Sequence, residues 1–533
     1  MAQMPAAWSY VELMAGQQAR PLNGTFNNIP VLHSNQPEIV GGPGILVNTA
    51  PGSAIAAETR RPLKNASFTF NGEFGVHIHH KYYPEDTAKL GGTRARGLLT
   101  VAAIAINPSG QSVTLNFDKG SVKNSFEAPY HPNQLMGVKP LGPRPWNTGP
   151  GDATSVQMLR SKLDRKLNER IVIPPGGRKV IFSSVLPARG IANALLKGRS
   201  DGPFQMAVVA AEETNRNRDL IAVLDSGRLA PGRIYLKRVR EIQSGRVFSR
   251  VAGVALGDHY QASISHNLQQ GSLHVPLTST HKHNFGTREI QINPLTTRMI
   301  DSAVNNVGTY GVRFDVTLNL LGSGPHQLVM SHPVVSGKKR FTAFRGSIGI
   351  KSNDGYKEVH VGLRSGESLP LSDLNLKAGS VNPVQVSLVY PADATPGHLL
   401  SVVPVQQMVM LQQRRQMLEK ARLAELNRKK RTVSPALPPP SIKTAKKTEN
   451  GAFEKSVIRT GTTRKSVKRS DPFSVNRQDV APPPPPGLIA PTAGITPMTP
   501  ALILPPRINS SLHERYREAI KAQQEWLQRF KGR

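Results

Sequence analysis

The sequence predicts a mainly β protein: two antiparallel β-sandwich-like domains, then a helix, a disordered basic proline-rich linker and a terminal amphipathic helix. Three observations lead there. Between residues 17 and 403, short apolar runs alternate with Gly, Pro, Asn and Asp turn signals at intervals of about 8–12 residues. Apolar spacing of the helical kind is almost absent from that stretch. Behind it, large apolar residues give way to Gln, Arg, Lys and Pro, and the β pattern stops.

A chain of 533 residues exceeds what one core fills, so two or three folding units are expected. Apolar residues make up 38% and aromatics 5%, too few for a chain folded throughout. There is no cysteine, which excludes disulfides, zinc fingers and cysteine nucleophiles. The net charge is +33, and residues 405–533 hold 25 Lys and Arg against 9 Asp and Glu, so +16 of it lies in that tail. Such a field favours polyanions or an acidic protein face.

Residues 1–16 read as an N-terminal extension. With no Lys or Arg before Arg20 and no sustained apolar run, they make a poor secretory signal. The longest apolar run, Leu98–Ile106, is about half of what a membrane span needs, so no transmembrane segment is expected.

The first domain is assigned to 17–244. Its opening is turn-rich, with Asn23-Gly24, Gly41-Gly42-Pro43-Gly44 and Pro51-Gly52 between short apolar pieces. Phe68, Phe70, Phe74, Val76 and Ile78 then alternate, as in a half-buried strand. Leu98–Ile106 reads as a fully buried strand. Asn107-Pro108-Ser109-Gly110 reads as the turn of a hairpin leading to Val113, Leu115 and Phe117. A second hairpin is expected around Pro174-Pro175-Gly176-Gly177, joining 171–173 to 180–182, and 206–211 is another buried strand.

From 233 to 258, three apolar clusters surround the Ser244-Gly245 turn, which fits strand, turn and strand at the join of the domains. The second domain is assigned to 245–403. Phe314, Val316, Leu318 and Leu320 alternate, and Gly322-Ser323-Gly324-Pro325 turns the chain toward 328–330. Asn353-Asp354-Gly355 links a hairpin of 347–350 and 359–363, and Val384, Val386 and Leu388 close the domain. One continuous all-β domain is the alternative.

The succession of RPLNGTFNNIPVLHSNQPEIV (20–40), FNGEFGVHIHH (70–80), INPSGQSVTL (106–115), GPGD (149–152), VIPPGG (172–177), GRVFSRVAGVALG (245–257), YGVRFDVTLNL (310–320) and VYPADATPG (389–397) resembles an uncharacterised cyanobacterial family, domain of unknown function 3370. The resemblance covers roughly residues 17–403 and rests on turns and strands. It implies the fold, and an exported protein of the cell envelope or periplasm, but no activity. The basic tail departs from it.

Residues 404–431 read as a helix, with Met410, Met417, Leu418, Ala421 and Ala424 near helical spacing. Residues 432–506 read as a disordered linker with polyproline II segments, Pro482–Pro486 among them. Residues 507–533 close the chain as an amphipathic helix, opened by the capping-box pair Ser511 and Glu514. Its face of Leu512, Tyr516, Ile520, Leu527 and Phe530, with Trp526 beside it, is assigned to partner binding. Arg428, Lys429, Lys430, Arg431, Lys446, Lys447, Arg464, Lys465, Lys468 and Arg469 are the candidate polyanion-binding residues.

No phosphate loop, dinucleotide fingerprint, nucleophile elbow or zincin motif appears, so no catalytic residue and no cofactor is assigned. The metal candidates are His77 and His79, which a strand would place on one face, and His281 and His283 repeat the spacing. No carboxylate pattern completes such a site, and a solvated strand face accounts for these histidines equally well. The expected function is that of a non-enzymatic structural or adaptor protein, tethered by its tail to a larger assembly or the cell envelope. The expected partner is another protein, with peripheral membrane contact as a further mode. The alternative is binding of nucleic acid or acidic polysaccharide through the basic tail.

Overall fold

The structure, a computed structural model, describes residue 13 and residues 18–86, 97–129, 136–142, 148–332, 341–392 and 394–432, with side chains as far as residue 428. The chain is mainly β, and its strands form two sandwiches. Among the described residues four α-helices accompany them: α1 (Pro150–Leu159), α2 (Asn217–Asp225), α3 (Val239–Gln243) and α4 (Val405–Thr432).

In the first sandwich a nine-stranded sheet packs on a four-stranded one. The large sheet runs Arg170–Ile173, Val113–Asn124, Ile191–Ser200, Glu73–Tyr82, Pro30–Ser34, Ala252–Leu256, Asn293–Arg298 and Asn305–Asn306, with Ile39–Val40 also beside Glu73–Tyr82. The small sheet is Arg178–Pro187, Leu98–Ile106, Gln205–Glu212 and Gly44–Asn48. Between them lies a core that includes Phe70, Phe74, Phe117 and Phe204, whose rings meet largely edge to face. Each such side chain contributes roughly 1.5–3 kcal/mol by leaving water. The outer face of the small sheet is covered by Leu220 and Leu224 of α2. That is why Leu98–Ile106 is apolar at nearly every position rather than at alternate ones.

Two expected hairpins prove to be crossings between layers. Leu98–Ile106 pairs with Arg178–Pro187 and Gln205–Glu212 in the small sheet, whereas Val113–Asn124 pairs in the large one. Likewise Arg170–Ile173 pairs with Val113–Asn124, and Arg178–Pro187 with Leu98–Ile106. The turns at 107–110 and 174–177 therefore step from sheet to sheet. Asn107 holds them together: its Nδ2 donates to the carbonyls of Gln111, Ile173 and Pro174 at 2.6, 3.1 and 3.0 Å, and its Oδ1 accepts from the Ser109 backbone at 2.9 Å.

In the second sandwich a seven-stranded sheet faces a four-stranded one. The first runs Thr25–Phe26, His259–Asn267, Arg313–Leu321, Val381–Val389, Thr342–Ser352, Gly355–Arg364 and Gly137–Pro140. The second runs Leu273–Leu277, His398–Pro404, Gly324–Ser331 and Ser368–Leu376. Phe314, Val316, Leu318 and Leu320 point into the shared core as their alternation requires. The hairpin at Asn353-Asp354-Gly355 forms with Ser352 opposite Gly355. The turn at 322–325, by contrast, crosses to the other sheet. Most pairings are antiparallel, but Pro30–Ser34 and Ile39–Val40 run parallel to Glu73–Tyr82, and His259–Asn267 runs parallel to Arg313–Leu321.

The 233–258 segment differs from the expected strand, turn and strand. It begins with a 3-10 turn, Ile234–Arg238, that runs into α3; then comes the Ser244-Gly245 turn, and only Ala252–Leu256 is a strand. Tyr235 and Ile242 lie seven apart, on one helical face, and pack with Phe248, Val251 and Ala303 in a small core of their own. Strands from both sides of this segment share sheets: Ala252–Leu256 pairs with Pro30–Ser34, and Thr25–Phe26 pairs with His259–Asn267.

Candidate functional site: a basic cleft between the sandwiches

Glu73–Tyr82 is buried on both faces rather than half-buried. Val76 and Ile78 belong to the first core, while His77 and His79 turn the other way, toward α1 and the second sandwich. These histidines are not solvated. His77 is 1% exposed and His79 4%, because α1 fills the space between the two large sheets with nine of its ten residues buried. Asp152 of α1 accepts hydrogen bonds from Ser347 Oγ at 2.9 Å and His360 Nδ1 at 2.9 Å, two residues paired across the second sandwich. On the opposite side of α1, Thr154 accepts from Asn193 Nδ2 at 2.5 Å, and Asn193 Oδ1 lies 2.9 Å from His79 Nδ1.

Parallel pairing sets His33 directly beside His77, and their Nδ1 atoms are 3.1 Å apart. One ring donates and the other accepts, and neither Nε2 has a hydrogen-bond partner among the described residues. Burial lowers His33 to about 3, and burial followed by the neighbouring histidines lowers His77 well below the usual imidazole value. Both rings are neutral at pH 7. His281 and His283 lie in the bends at 281–286 rather than on a strand. Among the described residues, no group of three or more His, Asp or Glu side chains is placed to hold a metal ion.

Beside His77 a cavity of about 50 Å³ opens between the sandwiches. The first sandwich contributes Lys119 and Lys197, which face each other across adjacent strands. The second contributes His259 and Arg313, neighbours in the parallel register. Gly311, at φ +78°, closes in on His77; a Cβ there would stand 2.9 Å from the Leu195 side chain and 3.2 Å from His77 Cβ, so only glycine allows the approach.

The charges are unevenly matched. Lys197 lies 3.3 Å from Asp258 and 3.7 Å from Glu73. Arg313 Nε donates to Asp315 at 2.7 Å, as does His259 Nε2 at 2.7 Å, and Ser387 Oγ donates at 2.5 Å. Burial works to raise the Asp315 carboxyl, but those three bonds outweigh it and hold it well below the carboxylate range. Lys119 is lowered from its ordinary value, first by burial and then by Arg313 and Lys197, against the pull of Asp258 and Asp315.

Of the residues assigned from sequence, His77 borders this cleft and His79 is held by Asn193. Arg428 lies exposed on α4, whose last turn includes Lys429, Lys430 and Arg431. Lys446, Lys447, Arg464, Lys465, Lys468 and Arg469 lie outside the described residues, as do Leu512, Tyr516, Ile520, Trp526, Leu527 and Phe530. Lys119, Lys197, His259 and Arg313 were missed, since only strand register brings them together.

Fold and site define a class: a mainly β protein of paired sandwiches with a helix behind them, and a small basic cleft where the sandwiches meet. Residues 17–404 match the model of the family described as protein of unknown function (DUF3370), and the chain belongs to that family. No curated protein matches the chain. Among solved structures it is similar to a xanthan lyase from Paenibacillus at 10% identity and a TM-score of 0.13, over 69% of this chain and 26% of that one. The chain thus spans about a quarter of that protein's length. No helix of the described residues is long and apolar enough to cross a membrane.

Proposed function

We propose that the protein is a non-enzymatic structural adaptor, a β body tethered to a larger assembly through its C-terminal arm. The observation that carries this reading is α4. Its first two turns belong to the body: Met408 and Leu411 pack with Leu13, Val329, Leu399 and Val403, and Gln407 donates to the Leu13 carbonyl at 2.9 Å. Arg415 makes a further bond to the Gly366 carbonyl at 2.9 Å. Beyond it Met417 is 70% exposed, and Leu418, Leu423 and Leu426 are exposed as well. The helix spans 28 residues, about 42 Å at 1.5 Å per residue, and carries eight Lys and Arg against two Glu. A helix without tertiary packing is marginal in water, so a partner covering those apolar side chains would stabilise it.

The test is co-purification from the native cell across a salt series. A chain ending at Gln413 keeps Met408 and Leu411; it is expected to melt within a few degrees of full length yet to lose the assembly. Full-length protein with Lys429, Lys430 and Arg431 changed to Gln is expected to stay bound, more weakly. If that charge variant is released while Leu418→Asp with Leu423→Asp stays bound, and wild-type binding falls steeply with salt, polyanion binding replaces the adaptor reading.

A further inference from the structure

We propose that the cleft between the sandwiches is a binding site for one small oxyanion, of carboxylate or sulfate size, held by the Lys119 ammonium. The argument begins with register. Lys119 and Lys197 stand directly opposite each other on neighbouring strands, an arrangement that destabilises a sheet unless a counter-charge accompanies it. Arg313 adds a third cation from the facing sandwich. Asp258 and Glu73 compensate Lys197, and Asp315 compensates Arg313. Lys119 makes no ion pair among the described residues, although it lines the cavity and is only partly exposed. The cleft thus holds one positive charge more than its carboxylates balance.

Size and lining narrow the ligand. A volume of about 50 Å³ takes a few water molecules or one carboxylate-sized group, and is too small for a sugar ring or a peptide. His77, nearly fully buried, lines the cavity and keeps an Nε2 without a hydrogen-bond partner among the described residues. A neutral imidazole protonated at Nε2 donates to an anion and costs no second buried charge. Burial of Lys119 strengthens the attraction, since a desolvated ammonium gains more from a counter-ion than a hydrated one. The walls come from both sandwiches, so a bound anion fastens them together and raises the melting temperature. None of this depends on α4 or the tail, and the site stands or falls apart from the adaptor reading.

The experiment uses full-length protein, titrated calorimetrically with sodium acetate and with sodium sulfate at ionic strength held constant with sodium chloride. One anion per chain is expected to bind saturably. Lys119→Gln is expected to weaken it by at least about tenfold, the loss of one charge-assisted bond, and exposed Lys179→Gln to leave it unchanged. A second measurement guards against a misfolded variant: acylation of wild-type Lys119 by a succinimidyl ester, read by mass spectrometry, is expected to slow with the bound anion and not with chloride. A tighter acetate titration assigns a planar carboxylate and a tighter sulfate titration a tetrahedral group, and either supports the site. Equal affinity in Lys119→Gln and wild type, absence of saturable binding by both anions, or unprotected Lys119 would overturn it.

Discussion

Arg233→Met is expected to cost about 3–5 kcal/mol of folding stability, because it strands a carboxylate in the interior. Arg233 and Asp301 are both fully buried. The guanidinium donates from Nη1 to both Asp301 oxygens at 3.0 Å and from Nη2 to the Leu46 carbonyl, while Gln36 Nε2 donates to Asp301 at 3.2 Å. Glu58 fixes the same turn from outside, accepting from the backbone N–H groups of Gly232 and Arg233 at 2.7 and 2.6 Å. Four stretches far apart in sequence thus meet on one ion pair. The pair itself adds little net stability, since desolvation offsets the attraction, but removing one member leaves the other's cost uncompensated. The double variant Arg233→Met with Asp301→Leu should therefore recover much of the loss. The check is urea denaturation of all three proteins. If the single change costs under about 1 kcal/mol, or the double is no better than the single, the ion pair is not what secures this junction.

Strands were legible in the sequence because alternation and turn residues are local signals. Phe314, Val316, Leu318 and Leu320 lie on the core face their spacing dictates, and Asn353-Asp354-Gly355 makes the hairpin its residues favour. Partner choice was not legible. The turn residues at 107–110 and 174–177 suit a reversal of the chain, and they serve equally well to cross a sandwich. Which of the two occurs depends on what covers each strand. The same holds at Ile234–Gln243, where a small core of Tyr235, Ile242 and Phe248 favours helical spacing over the strand the apolar clusters imply. α1 gave no periodic signal, because a helix buried on nearly all sides needs no polar face.

The site was less legible still. The unusual run His77-Ile78-His79-His80 is visible in sequence, and strand geometry does turn His77 and His79 to one side. That this side is buried follows only from α1 and the second sandwich packing onto it. Lys119, Lys197 and Arg313 resemble any other basic residues in a chain of net charge +33, and their convergence is a fact of register.

Those buried histidines lead to the other large effect, a loss of stability in mild acid. Burial lowers His33 and His80 to about 3 and His274 to about 4, and His77 and His398 lie well below their ordinary value. Around His80, the carbonyl of Pro37 works against burial while His79 and Arg233 add to it. The unfolded chain binds a proton at each of these rings near pH 6.5, and the folded chain refuses it. Above pH 6.5 the two states bind alike and stability does not change on this account. Below it, each histidine costs about 1.4 kcal/mol per pH unit, or about 2 kcal/mol by pH 5. Five such groups, if additive, remove about 10 kcal/mol, comparable to the 5–15 kcal/mol that holds a typical domain together. The paired carboxylates Glu38 and Asp315 also lie below their ordinary values, but their contribution is lost only as the pH falls through the unfolded carboxylate range, near 4. The window from pH 6.5 to 5 therefore belongs to the histidines. Urea denaturation at pH 7.5, 6.5, 5.5 and 5.0 should show the unfolding free energy falling steeply across it, and His33→Leu should flatten the fall by about 2 kcal/mol whatever it does at pH 7.5. A wild-type free energy that stays level between pH 7.5 and 5.0 would mean that these rings accept protons in place, and that the junction around His77 is open to water.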